Sequence, residues 1–230
     1  CSCCPPNITR FIASAGDRLY AADGGTVYIN HYAASRTSTL FNGKRLKLSQ
    51  KTDYPFDGKI SFTCSYPDEI TLAFRIPGWC EKYTVKVDGA PAELPVRRGY
   101  AYLKACGKVS VSLNFRMDVC FVEANPNVQE DSGRYAVRRG PVVYCAESVD
   151  NGGLLRDIRV DAKAKPRIVH DAFIGAPVIM TRGERREGFD TLYRRVKAAY
   201  VPCEVRLIPY FAFANRGACD MLVWLQAYNL

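Results

Sequence analysis

Methionine, histidine and tryptophan are scarce in this chain of 230 residues, with three, two and two copies respectively. Few histidines means few of the usual general bases and metal ligands. His31 and His170 stand far apart in sequence, and nothing beside His31 suggests a nucleophile–base–acid triad. No apolar run approaches the roughly 20 residues that a membrane-crossing helix needs. No basic-then-apolar leader is visible, although residue 1 is Cys rather than Met and whatever lay upstream is open. A phosphate-cradling glycine loop, a zincin helix and a dinucleotide fingerprint are also missing. Basic residues exceed acidic ones, 32 against 23, for a formal charge of +9. They are scattered, with arginine pairs at 97–98, 138–139, 185–186 and 194–195 but no long run. A nucleic-acid reader concentrates charge on one stripe with aromatics between. The expectation is a solvated basic surface, with no nucleic-acid partner and no membrane.

Hydrophobic residues make up 48% and charged residues 24%, which is ordinary globular composition. This length can bury one large core or two modest ones. Fourteen Tyr and eleven Phe tilt the chain toward strands. Ten cysteines is a high count, yet the spacing is not that of a disulfide framework. Cys64, Cys80, Cys106, Cys120, Cys145, Cys203 and Cys219 sit singly inside apolar, strand-like runs, where a thiol serves as a small hydrophobe. Such usage suits a reducing compartment, and the cytoplasm is the expected location.

One helix is expected near the start. Ile8, Phe11, Ile12, Ala15 and Leu19 recur at helical spacing behind Asn7, a fair N-cap, so the helix should span about 8–16. From Val27 the period changes to two. The expected strands are 27–34, 44–52, 59–66, 70–77, 83–89, 99–105 and 108–117, with Asp88-Gly89 as a hairpin signal. Seven short strands at this spacing argue a β-sandwich. A second block begins after the Asn125-Pro126-Asn127 loop: two strands in 134–148 bent at Gly140-Pro141, a turn at 150–155, and strands at 166–170 and 177–181. RGERREGFD (182–190) has no apolar period and reads as an exposed loop. Runs 204–215 and 220–228 read as a final antiparallel pair about Asn215-Arg216-Gly217.

The chemistry is concentrated in CSCCPPNITR. A thiol acts as a nucleophile or metal ligand only as thiolate, and at its ordinary pKa of about 8.5 few are ionised at pH 7. A helix N-terminus supplies positive potential, and a metal ion deprotonates the sulfur outright. Cys3 and Cys4 lie just before the helix, but two sulfurs do not complete a tetrahedral zinc site of about four ligands. No second CxxC is present. Two structural cysteines in a tight turn remain the alternative. Glu147 and Asp150 can be read as a carboxylate pair, but turn chemistry before Asn151-Gly152-Gly153 explains Asp150 better. Asp68 and Glu69 read as solvated, His31 as a satisfied strand residue, and Trp79 and Trp224 as core anchors.

CCPPNITR, TDYPFDGKI, LAFRIPGWC, RRGPVVYCAESVDN and IPYFAFANRGACDMLVW, in that order, resemble the C-terminal portion of glycoside hydrolase family 127, the β-L-arabinofuranosidases. The resemblance runs over essentially the whole chain. It implies a mostly β architecture: the end of an α/α helical barrel (residues 1–22, one helix), then β-sandwich-like domains at 23–124 and 125–230. It implies a retaining hydrolase in which Cys3 is the catalytic nucleophile and Cys3 and Cys4 both ligate zinc. A Glu and a third Cys completing that site, and a separate Glu acid/base, have no counterpart in this chain, and Cys1 is unassigned. The implied partner is an arabinose-containing oligosaccharide or glycoconjugate. A homodimer is a further expectation, since β-domains of this kind can pack in pairs. The family has Trp where Phe213 stands, which marks a divergent member. A non-catalytic carbohydrate-binding or barrel-bracing module is the rival reading.

Overall fold

A computed structural model describes residues 4–187, 191–193, 195 and 199–230. It divides into two compact units, Cys1–Met117 and Asp118–Leu230. The Asn-Pro-Asn loop is the more conspicuous breaker in sequence, but the strand at Val119–Glu123 pairs with Tyr135–Arg139 and so belongs to the second unit.

The first unit opens with α1 (Pro5–Ser14) and continues through β1 (Tyr20–Asp23), β2 (Thr26–Ile29), β3 (Ser35–Phe41) and β4 (Lys44–Thr52). Then come β5 (Lys59–Arg75), β6 (Tyr83–Val87), β7 (Ala90–Pro91), β8 (Val96–Arg97) and β9 (Tyr100–Phe115). The helix starts before the expected Ile8. Proline's fixed φ suits a first turn and its missing N–H costs nothing there, so Pro5 and Pro6 are the first two helical residues and Asn7 is the third.

The expected pairs 59–66/70–77 and 99–105/108–117 are in fact two long strands. β5 carries an irregularity between Tyr66 and Ile70, and β9 passes through Gly107 at φ 74°. β4 pairs with the first half of β5 and β2 with its second half. Ile60, Phe62, Cys64 and Tyr66 from one half share a core with Ile70, Leu72 and Phe74 from the other. The sheet therefore folds over its own apolar face, as a sandwich requires. Trp79 packs into this core against Tyr54 and Phe115, as a core anchor should.

The second unit contains β10 (Val119–Glu123), β11 (Tyr135–Arg139), β12 (Val142–Glu147), the single turn α2 (Ser148–Asn151), β13 (Ile158–Asp161) and β14 (Arg167–Asp171). It ends with β15 (Ala176–Arg186), β16 (Tyr200–Pro209), β17 (Met221–Leu222) and β18 (Gln226–Tyr228). The order β10-β11-β12-β16-β15-β13-β18 forms the sheet, with β14 beside β15 and β17 beside β12.

Two expectations fail here. Residues 182–186 of the supposed loop continue β15, because their charges are paired along the sheet: Arg159 with Glu184 and Arg185 with Asp157. Residues 188–190 of that stretch lie outside the described residues. The last two runs do not pair with each other. β16 lies between β12 and β15, while β17 joins β12 and β18 runs parallel to β13.

Candidate functional site

The cysteine motif is built by α1. Cys4 is its N-cap residue, and its carbonyl accepts the Ile8 N–H at 2.9 Å. The Thr9 hydroxyl donates to the Pro5 carbonyl at 2.9 Å, tightening the first turn. Cys4 is exposed at the positive end of a ten-residue helix. Cys3, the expected nucleophile and zinc ligand, lies outside the described residues. Among the described residues no group of three or more His, Cys, Asp and Glu side chains could hold a metal ion. Zinc takes about four ligands, so the described residues do not by themselves fit it.

The same helix carries an apolar stripe that none of the described residues covers. Ile8, Phe11 and Ile12 are 59%, 62% and 68% exposed. An amphipathic helix normally turns such a stripe to a core. None of its residues is buried.

The singly placed cysteines divide by environment. Cys64 and Cys145 are buried. Burial pushes their thiols up to about 11 and, with Glu147 nearby, about 12. Burial raises Cys80, Cys203 and Cys219 as well. These thiols are protonated at neutral pH and act as packing groups. Cys106 departs from that pattern and is exposed at a strand position.

Glu147 and Asp150 do meet, but not as an acid/base pair. Arg216 bonds both carboxylates, reaching Asp150 Oδ1 at 2.7 Å. Glu147 is fully buried and also accepts the Ala214 N–H at 2.7 Å and the Cys219 thiol at 3.4 Å. Burial alone would raise its pKa; the Ala214 and Arg216 hydrogen bonds outweigh it and hold the carboxyl below its ordinary value. A general acid for glycoside cleavage needs the opposite shift. Asn151 ties this cluster to β16, donating to the Glu147 and Arg206 carbonyls and accepting the Arg206 N–H, each at 2.9 Å. Sequence reasoning assigned Asp150 to turn chemistry and missed Arg216. Asp68 and Glu69 are exposed, as expected, in surface pairs with Lys44 and Lys104. His31 is exposed at a bend just past β2 rather than within a strand.

Known proteins share this architecture. Residues 26–119 match the model described as the beta-L-arabinofuranosidase, GH127 middle domain. Residues 119–226 match the glycoside hydrolase family 127 C-terminal domain. A curated non-reducing end beta-L-arabinofuranosidase from Bifidobacterium longum is 35% identical over 97% of this chain, which spans 37% of that protein's length. The crystal structure of a family 127 β-L-arabinofuranosidase from Geobacillus stearothermophilus T6 superposes with a TM-score of 0.92 at 36% identity, covering 99% of this chain and 38% of that one. A second structure, described as a family 127 β-arabinofuranosidase, gives a TM-score of 0.89 at 32% identity, covering 99% of this chain and 39% of the other. With family models matching residues 26–119 and 119–226 and a family structure superposing along 99% of its length, the chain belongs to glycoside hydrolase family 127.

Proposed function

We propose that these residues are the C-terminal part of a retaining zinc-thiolate hydrolase of β-L-arabinofuranosides, with Cys3 as nucleophile. The observation that carries this reading is the similarity along 97% of the chain to an arabinofuranosidase. The entrance of α1 behind Cys3-Cys4 supports it, because a helix N-terminus favours the thiolate. The uncovered stripe of α1 supports assigning that helix to a helical barrel whose other helices lie outside this chain, whereas residues 20–22 of the expected 1–22 segment open the first sheet as β1.

In this scheme the Cys3 thiolate attacks the anomeric carbon. The sulfur–carbon bond forms as the glycosidic carbon–oxygen bond breaks, and the leaving oxygen takes a proton from a carboxyl group in the rest of the parent. The same carboxylate then removes a proton from water, whose oxygen displaces the sulfur. Two displacements at one carbon retain its configuration. Cys3 and Cys4 would supply the thiolate half of a zinc site, with the remaining ligands from the parent. When bound, zinc would keep the sulfur ionised near neutral pH. Unpaired thiols such as Cys64 and Cys145 support a cytoplasmic location.

In the parent enzyme, Cys3→Ser should abolish turnover of an aryl β-L-arabinofuranoside while circular dichroism stays unchanged; surviving turnover would overturn the assignment. This chain alone should hydrolyse nothing, because the acid/base is not in it.

One observation favours a non-catalytic second reading. Tyr210 and Phe213 present partly exposed rings at 2° to one another with centroids 6.5 Å apart, a surface on which a sugar ring could stack. Retardation of this chain on arabinan in affinity electrophoresis, lost in Tyr210→Ala, would support it.

A further inference from the structure

In the second unit, β15 exchanges one edge partner for another. β14 pairs with it through Arg167↔Met180, and β13 takes over from Gly183, opposite Val160. The linker 162–166 arches past Thr181 and Arg182, where neither strand pairs, and a groove of about 450 Å³ opens there. Its walls carry Lys163, Lys165, Arg167 and Arg182 against one acid, Glu204, while Met180 and Ala164 give it an apolar side.

The rim is braced from below. The Asp161 side chain is fully buried and accepts from the Lys163 N–H at 3.1 Å, Arg182 Nε at 2.8 Å and Asn229 Nδ2 at 3.2 Å. Arg167 pairs with Glu204 at 2.7 Å across β15. Asp161 and Glu204 thus balance two cations, Arg182 and Arg167, and among the described residues no carboxylate side chain pairs with Lys163 or Lys165. Both lysines are exposed, and among the described residues the Lys163 ammonium meets the main-chain oxygen of the last residue, Leu230, at 3.3 Å.

We propose that this groove binds a carboxylated oligosaccharide, one uronate carboxylate lying between Lys163 and Lys165 and the sugar ring against Met180 and Ala164. The volume suits a mono- or disaccharide rather than a bare inorganic anion. The two exposed ammonium groups suit a single carboxylate. The sugar nature of the ligand rests on the reading of the parent as a glycan hydrolase; the charge argument does not.

The test is a titration of the 230-residue chain with trigalacturonic acid, its methyl ester and inorganic phosphate at matched ionic strength, monitored by amide shifts in NMR spectra. The acid should bind and shift Lys163, Lys165 and Thr181, and the ester should not. Lys163→Ala/Lys165→Ala should weaken the acid about tenfold, and added salt should weaken it further, since exposed charges are screened. Equal binding of acid and ester, equal binding by the double variant, or phosphate binding as tightly as the acid would each overturn the proposal. No glycosidase assay enters the measurement, so a parent that cleaved no arabinoside would leave its result standing.

Discussion

The two units reach the same sandwich-like end by different means. The first is held by aromatic packing: Phe62 and Phe74 meet edge to face at 5.1 Å, and Phe115 contacts Tyr32, Trp79 and Tyr83. The one polar side chain buried in it among the described residues is the uncharged Gln50. The second buries Glu147 and Asp161 outright and closes them with Arg216 and Arg182. An apolar core tolerates changes of pH and salt, whereas a buried ion pair holds only while both partners keep their charges. The difference is one of failure modes: the first unit should break by losing volume, the second by losing charge.

Removing volume should have the largest effect. Phe74 is fully buried and packs on Phe62, so Phe74→Ala should cost the first unit about 3–5 kcal/mol. Each unit carries one tryptophan, Trp79 in the first and Trp224 in the second, so Trp→Phe variants let urea unfolding be tracked unit by unit. The Trp79 transition should move and the Trp224 transition should stay. Equal movement of both would mean that the units unfold as one.

Glu147→Ala comes next and reverses the pattern. It leaves the Ala214 N–H without its acceptor and Arg216 with Asp150 alone. Breaking a buried pair from one side costs about 3–5 kcal/mol, and the surviving Asp150 contact should keep the loss near the lower figure. The Trp224 transition should fall to lower urea with Trp79 unmoved; an unchanged Trp224 midpoint would mean that the ion cluster does not hold the second unit together.

These failure modes were unequally legible in the sequence. Period-two patterning marked β4 at its observed bounds, 44–52, because one face is buried and the other wet. It missed β3, whose residues are largely polar and exposed, although Asn42-Gly43 signals a hairpin and adopts φ 47° and 77° there. It split β5 and β9, since a bulge or a positive-φ glycine interrupts a pattern without ending a strand. Cys3 and Cys4 stand out in the sequence because they are adjacent, and of the two the described residues include Cys4 alone. The Glu147–Arg216 pair was not, for its partners lie 69 residues apart and only the fold brings them together. Residues 182–186 were misread for the same reason: their partners, Arg159 among them, lie on other strands.

Acid should separate the units more gently than either substitution. Arg182 holds the Asp161 carboxyl below its usual value, and the Ile174 N–H together with Arg206 does the same for Asp171. With Glu147 also depressed, all three contribute stability that is fully present above the unfolded-state value of about 4. That stability is lost as pH falls through the lower folded-state values. Among the described residues the first unit buries no carboxylate at all. Lowering the pH from about 5 toward 2 should therefore shift the Trp224 transition before the Trp79 transition, and the reverse order would sink the contrast between the units.

The smallest effect sharpens the comparison without altering stability at all. Among the described residues each unit buries one cysteine, Cys64 in the first and Cys145 in the second, with thiols pushed up to about 11 and about 12. At pH 8 only about one thiol in a thousand or fewer would be ionised, so neither can react without the unit opening. Cys106 is exposed and should be alkylated within minutes in the folded protein. If the two cores open independently, Cys64 and Cys145 should become reactive at different urea concentrations, each coincident with the tryptophan transition of its own unit. Mass spectrometry of the labelled peptides reads both in one sample. Simultaneous labelling would show that the aromatic core and the ion cluster, for all their difference in kind, give way in a single step.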